Sequence, residues 1–539
     1  MRQHIPLRPF WRSTGLLINA ALLALLLLSM PTIVRSSTLL QQRLVAPYPN
    51  DGLEGTLLYE ARLVWAGQAL YRPLTPYEFV SAPYPPLFTA CVALFDQLPG
   101  PSIFWGGRLV CMLSALGLCA TIMLLVRAVG RSWLAGLLGA TLFFIAPAVI
   151  LWATRIKPDM LAIFLATSGL LAAILSERCV SRTAARQQTE ACHSGNDAAR
   201  TRSMGWLCVA AVLFALAFFT RQTTVIAALA SSLGLLLNDL IAYRQGLRES
   251  FMCWGQRHVP IRQSTLAFGT LLAALCLGGW WLADIITSGQ YSAHVWGLHR
   301  SEWWSFYLVQ KYTRQLYPYS PSVLLLIPLL LEMRHNPRTR ILGGYVLLAP
   351  VTLLGAAEIS AHHNHLLETI LALSLALGMA LAWASKQAMA QQQGHVLRWI
   401  NIMLVLALAA GQFWLASKEH PFFKGELAPP DPPARFIEFV ANTPGEILAD
   451  DVGLLLAGGK AVRYDDPSTM GPAARWGIWD QRGLLEEIAA KKFSAIMLRD
   501  DVEKDPYDDV GRWTREMRQA INQHYTIKFR DKIRVYVPK

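Results

Sequence analysis

A run of about twenty uncharged residues, Gly15 to Val34 (GLLINAALLALLLLSMPTIV), follows Arg2, Arg8 and Arg12 near the start of the chain. A run of that length crosses roughly 30 Å of hydrocarbon as a helix, the form that satisfies its own backbone N–H and C=O groups where no water is present. Further apolar runs recur at 103–127, 133–152, 157–176, 205–220, 222–242, 264–286, 320–333, 339–356, 363–384 and 397–416. The expectation is a membrane α-helical protein of about eleven transmembrane helices, with one of the shorter runs open to a re-entrant reading. The first run is longer than a signal-peptide core and no small-x-small site follows, so it reads as an uncleaved span with the N-terminus inside. Composition agrees, because 53% of the 539 residues are hydrophobic and 16% are charged.

Eleven spans put Arg127, Arg131, Arg178, Arg182, Arg244, Arg248, Arg334, Arg338, Arg340, Lys386 and Arg398 in or beside inner loops. This bias fits the positive-inside rule and explains much of the +13 formal charge as topology. Nucleic acid is not needed as a partner to account for it. The expected localisation is the plasma (inner) membrane, multi-pass, with the N-terminus cytoplasmic.

Three regions then fall on the outer face: loop 35–102, loop 287–319 and the chain beyond about residue 418. The tail lacks apolar runs and alternates strand-like stretches (GEILADD, AVRYDD, FSAIMLRD, YTIKFRDKIRVYVP) with amphipathic helical ones. It reads as a soluble α/β domain over 418–539, joined through the Pro-rich ELAPPDPPAR to a membrane domain over 1–417. The acid pairs Asp450-Asp451, Asp465-Asp466 and Asp500-Asp501 lie at predicted strand ends and read as solvated turns rather than metal ligands. The eight cysteines avoid the tail, so no disulfide framework is expected on the outer face.

Loop 35–102 carries Asp51 and Glu54 in "YPNDGLEGTLLYEARL". Three residues apart, the two carboxylates share a helix face and form a capping-box pattern, or one of them faces substrate. Other ionisable residues gather at the outer span ends: Arg155, Lys157 and Asp159 in ATRIKPDMLA, and Arg221 and Gln222 in FFTRQTTV. Glu358, His362, His363, Asn364, His365 and Glu368 follow in GAAEISAHHNHLLETI. Snorkelling and helix capping account for each alone. Together they set cations beside carboxylates in one layer, an arrangement suited to holding a lipid-linked phosphate while a hydroxyl is deprotonated nearby. The histidines lack a firm ligand geometry, so a divalent metal is possible but not indicated, and no cofactor is expected.

The segments DGLEG, ARLVWAGQALYRP, APYPPLFTACVALF and GGRLVCMLSALG, in that order, resemble the first outer loop and second span of the GT-C membrane glycosyltransferases. The similarity is to the group related to protein mannosyltransferases and the arabinose-lipid A transferase. It extends through RIKPDMLAIFLATSGL, the TRQT turn, HHNHLLETILALSLALG and the tail, and so covers most of the chain. The resemblance implies an inverting transfer of a sugar from a polyprenyl-phosphate donor to a hydroxyl of a lipid, protein or polysaccharide acceptor at the outer face. Carried onto this sequence, Asp51 or Glu54 is the catalytic base, and Arg155, Lys157, Arg221, Gln222, His362 and His363 hold the donor phosphate. Asp159, Tyr84, Asn364, His365, Glu368 and Trp303 support the site on its acceptor side. A transporter or flippase of a lipid-linked sugar, or a non-catalytic scaffold on the same fold, are the competing readings. The former is disfavoured by charges at one face and the lack of an internal repeat.

Overall fold

The computed structural model describes residues 10–187, 194–250, 262–301, 304–358, 362–390, 395–418, 423, 427, 434–499, 501–502 and 512–539. Among these, nine helices are long and apolar enough to cross a membrane, and two bent helix pairs raise the number to eleven. Helix α1 (Phe10–Val45) is followed by α2 (Glu54–Trp65) and α3 (Pro86–Phe95), two short helices within the loop that the sequence assigns to the outer face. Helices α4 (Trp105–Gly130), α5 (Trp133–Phe144), α6 (Pro147–Ala153), α7 (Asp159–Gln187), α8 (Ser194–Phe218) and α9 (Ile226–Ser250) come next. The spans Gln263–Ile286, Pro337–Ala357, His363–Met389 and Val396–Ser417 complete the bundle with the bent pair Phe306–Arg314 and Tyr317–Met333.

Two expectations change here. Residues 35–45 belong to α1 rather than to the outer loop, and the polar stretch survives as helix because Arg43 is buried against Thr154, its Nε 3.1 Å from Oγ1. The expected span 133–152 is broken, with α5 and α6 meeting at 74°. Pro147 lacks an N–H and forces Ala146 into an extended conformation (φ −67°, ψ 128°), which ends α5 and restarts the chain as α6.

The span His363–Met389 is the centre of the bundle, with 94% of its most apolar window buried, against 6% for Gln263–Ile286 at the periphery. A helix apolar on all sides packs fully inside, whereas a peripheral one turns most of its surface to lipid. Close approach is allowed by small residues: a Cβ on Gly139 of α5 would sit 2.8 Å from the Ser374 carbonyl oxygen.

The C-terminal region holds a four-stranded sheet in the order β1-β2-β4-β3, with β1 (Glu446–Ala449), β2 (Phe493–Leu498), β3 (Tyr525–Arg530) and β4 (Arg534–Pro538). The pairing is parallel for β1 with β2 and antiparallel for β2 with β4 and for β3 with β4. AVRYDD is not a strand; Tyr464 makes one isolated bridge, with Phe79 of the outer loop. The acid pairs also differ from expectation, since Asp450, Asp451, Asp465 and Asp466 are all buried. They terminate elements by hydrogen bonding: Asp450 accepts from Trp513 Nε1 (2.8 Å) and Arg499 N (2.6 Å), while Asp451 and Asp466 cap the helices Val452–Ala457 and Pro467–Arg475. Asp501 is paired with Arg530 at 3.4 Å, and Asp500 lies outside the described residues.

This region sits directly on the first outer loop. A Cβ on Gly55 would fall 2.0 Å from the Gly453 nitrogen, so only glycine permits the first turn of α2 to lie against the start of Val452–Ala457. Thr56 Oγ1 donates to the Asp465 carbonyl at 2.5 Å, tying the two further together.

Candidate active site

The chain between α1 and α2 turns sharply, and its two carboxylates part company. Glu54 is completely buried and forms a two-pronged pair with Arg108 of α4, Nε to Oε1 at 3.0 Å and the second guanidinium nitrogen to Oε2 at 2.8 Å. It also accepts from the backbone N–H of Asn50 (2.5 Å) and of Ile156 (3.0 Å). Arg108 spends its remaining donors on the carbonyls of Arg43, Ala46 and Tyr48. The knot joins α1, α2, α4 and the α6–α7 turn, and every lone pair of Glu54 that points at a partner is committed to the fold. Arg108 was not singled out from the sequence, although a charge within the apolar GGRLVCML is the signal that marks it.

Asp51 faces a different set. Its Oδ1 lies 3.1 Å from Lys157 Nζ and accepts from the Leu53 N–H at 3.0 Å, while Oδ2 lies 3.6 Å from Arg155. Burial pushes its pKa up, but Lys157, Arg155 and His362 together outweigh that and hold the carboxyl well below the usual range. Capping is thus present in part: Asp51 accepts two residues on, and Glu54 reaches back to Asn50. Arg155 and Lys157 both lie over the Trp152 ring, 4.9 and 5.6 Å from its centroid. Pro158 sets Asp159 in the first turn of α7, and there Asp159 accepts from Trp152 Nε1 (3.2 Å) and is ion-paired with Arg221.

Beside this layer opens a cavity of about 460 Å³, within the range typical of small-ligand sites. Lys157, Asp159, Arg221, Gln222, His362, Asn364, His365, Glu368 and Tyr84 all line it. The fold therefore brings together residues from four separate sequence clusters. Asp51 stands behind Lys157, with Leu53 on the wall. Gln222 Nε2 donates to the Val295 carbonyl at 3.1 Å, and its Oε1 has no hydrogen-bond partner among the described residues. Burial, then Lys157 and other neighbours, push His362 down to about 4, so its imidazole is neutral near pH 7. His363 is not on the wall: it packs among Trp152, Tyr312 and Phe423, with ring centroids 6.1, 5.4 and 4.7 Å away. Trp303 lies outside the described residues. Among the described residues no three His, Cys, Asp or Glu side chains gather as a metal-ligand set.

Further wall residues come from outside those clusters, and of these His299, Ser468 and Thr469 had no sequence signal of their own. Trp296, stacked on Trp280 at 5.2 Å, Trp304 and His299 come from the second outer loop. Asp466, Ser468 and Thr469 come from the C-terminal region, which closes the cavity from above the bundle. Glu60 of α2 is nearly inaccessible; it accepts from Ala82 N at 3.0 Å and Ser81 Oγ at 3.3 Å, while Asp465 accepts from Ser81 N at 2.9 Å. Burial first, and then the charge of Asp466, pushes Glu60 up to about 8, and burial with Glu60 and Asp466 raises Asp465 as well.

No protein-family model matches the sequence, and no curated protein does. Solved structures do match in fold. ArnT from Cupriavidus metallidurans, bound to undecaprenyl phosphate, aligns with a TM-score of 0.56 and 15% identity over 94% of this chain and 97% of that one. The Archaeoglobus fulgidus oligosaccharyltransferase tethered with an acceptor peptide aligns at 0.53, with 12% identity over 95% of this chain and 74% of that one. AglB from the same organism, in complex with an inhibitory peptide and a dolichol-phosphate, aligns at 0.52 with 12% identity and the same coverage. Nine to eleven candidate spans among the described residues, two helices in the loop between the first two spans and a C-terminal sheet resting on that loop thus give this chain the fold of the GT-C membrane glycosyltransferases.

Proposed function

We propose that the chain transfers a sugar from a polyprenyl-phosphate donor to an acceptor hydroxyl, with inversion, in the cavity at the outer ends of its spans. The observation that carries the reading is the 3.1 Å contact between Asp51 and Lys157, a carboxylate behind a cation on the cavity wall. The acceptor oxygen bonds to the anomeric carbon as the carbon–oxygen bond to phosphate breaks. The bonding pair leaves with the lipid phosphate, and the acceptor proton passes to Asp51. Lys157, Arg155 and Arg221 oppose the charge that develops on the leaving phosphate, an effect strongest where water is excluded. No cofactor enters this scheme.

Held by Lys157 and Arg155, which stabilise its ionised form, Asp51 is a weak base until donor binds. A donor phosphate draws the same cations toward itself, which raises the proton affinity of Asp51 when the acceptor must be deprotonated. Binding of donor thereby readies the base. Glu54 takes no part in this scheme, since Arg108 and two backbone N–H groups hold it in the fold. Arg127, Arg131, Arg338 and Lys386 at the far ends of the spans support an orientation with the cavity and the C-terminal region outside and the N-terminus in the cytoplasm.

The test is the thermal stability of the purified full chain with undecaprenyl phosphate or with undecaprenol. A ligand at one hundred times its Kd stabilises by about 2.7 kcal/mol. The phosphate should raise the melting temperature of wild type and have less effect on Lys157→Ala, with little response to undecaprenol. Equal responses to both lipids, or an undiminished response in Lys157→Ala, would overturn the assignment of these cations to the donor.

A further inference from the structure

A second cavity, of about 670 Å³, lies at the opposite end of the bundle. Its walls come from the start of α1, the α4–α5 turn, the start of Pro337–Ala357 and the end of His363–Met389. Helix α4 runs 26 residues, about 39 Å, from Trp105 beside the Glu54 knot to Gly130 on this wall, so the two cavities stand a bilayer apart. The mechanism above uses none of these residues.

Three cations, Arg131, Arg338 and Lys386, face one carboxylate, Glu332, which is paired with Lys386 at 2.7 Å. Arg131 occupies the left-handed cap position that ends α4, with φ 64°, where glycine is the unstrained choice. Such strain is retained where the side chain has a task. The rest of the lining is mostly apolar or aromatic, with Asn19, Ser132, Asn336 and Ser385 as its neutral polar members, and includes Trp133, 54% exposed as befits a residue at a membrane–water boundary. Next to the wall residues Gly15 and Ile18, Leu16 and Leu17 are 70% and 63% exposed and present a path for acyl chains along α1.

From this juxtaposition we infer that the cavity binds the phosphate headgroup of an anionic glycerophospholipid in the leaflet opposite the active site, with Arg131 and Lys386 as its principal contacts. A soluble anion would need no apolar wall continuous with the lipid-facing side of α1. Basic pockets between spans on the positively charged face are suited to such headgroups.

Native mass spectrometry of the full chain in detergent, supplied with phosphatidylglycerol or phosphatidylcholine of matched acyl chains, tests the site. Wild type should retain phosphatidylglycerol in preference to phosphatidylcholine. Each cation removed, in Arg131→Gly or Lys386→Ala, should weaken that retention by about fivefold. Arg131→Gly also relieves the left-handed cap, so the apo-protein should melt no lower than wild type while holding less lipid, which separates loss of the site from loss of the fold. Equal retention of the two lipids would overturn the proposal. So would an unchanged Arg131→Gly, or displacement of phosphatidylglycerol by inorganic phosphate alone, which would mark a site for the free ion.

Discussion

The knot around Glu54 and the wall around Lys157 use the same kinds of residue, yet they are built to opposite ends. In the knot, one carboxylate meets a complete guanidinium fork and two backbone N–H groups with no access to solvent. At the wall, Asp51 is held by Arg155 and Lys157, and Lys157 also lines a 460 Å³ cavity, where on the proposed reading a donor phosphate competes for it. A fully satisfied buried polar network specifies structure, because any change leaves a charge without a partner. A charge cluster with an open side is available to a ligand.

That contrast is broken most severely at Glu54. Glu54→Ala strands the buried Arg108 and should cost about 3–5 kcal/mol, read as lost folded protein in the membrane rather than as an altered rate. Next in size is Asp51→Asn, which keeps an oxygen for the Leu53 N–H but cannot take a proton; transfer should fall by about 10²–10⁴, with a loss of stability smaller than that at Glu54. A stability loss at Asp51 as large as that at Glu54 would erase the distinction. Lys157→Ala should weaken donor binding by about tenfold to a hundredfold, the scale of a hydrogen bond to a charged group, as titration with undecaprenyl phosphate would show.

A pH dependence sharpens the comparison at the seam between loop and C-terminal region. Glu60 ionises near 8 when folded, against an ordinary value of 4.5, so between those values the folded chain keeps a proton that the unfolded chain has lost. Stability should therefore fall as pH rises from about 5 to about 8, by up to about 1.4 kcal/mol per unit. Asp465 faces Glu60 across Ser81, and both Asp465 and the neighbouring Asp466, raised by burial, act in the same direction. Glu60→Gln should flatten the slope in thermal unfolding across that range, and an unchanged slope would place its origin elsewhere.

The spans were legible in the sequence because a bilayer imposes length and apolarity on each one separately. So were three of the four expected strand-like stretches, those where alternation is local: GEILADD, FSAIMLRD and the final hairpin. AVRYDD failed because Tyr464 pairs with Phe79, nearly four hundred residues away, and no local pattern reports such a partner. Asp465 and Asp466 passed for solvated turns for the same reason, since what buries them is the first outer loop. The outer-face cluster was visible as composition at span ends. Which carboxylate served the fold was not, because Asp51 and Glu54 differ in their neighbours across space rather than along the chain. His363 and His362 show the same limit, adjacent in sequence but one packed into an aromatic cage and the other on the cavity wall.

The most direct test compares lipid-linked sugars and outer-face glycans, by mass spectrometry, in host cells lacking this protein and in the same cells rescued with wild type or Asp51→Asn. Loss should leave one polyprenyl-phosphate sugar accumulated and one glycan short of that sugar. Wild type should reverse both changes, whereas Asp51→Asn at equal abundance should reverse neither. Full rescue by Asp51→Asn would contradict the account, since no other residue in it is assigned to take the acceptor proton.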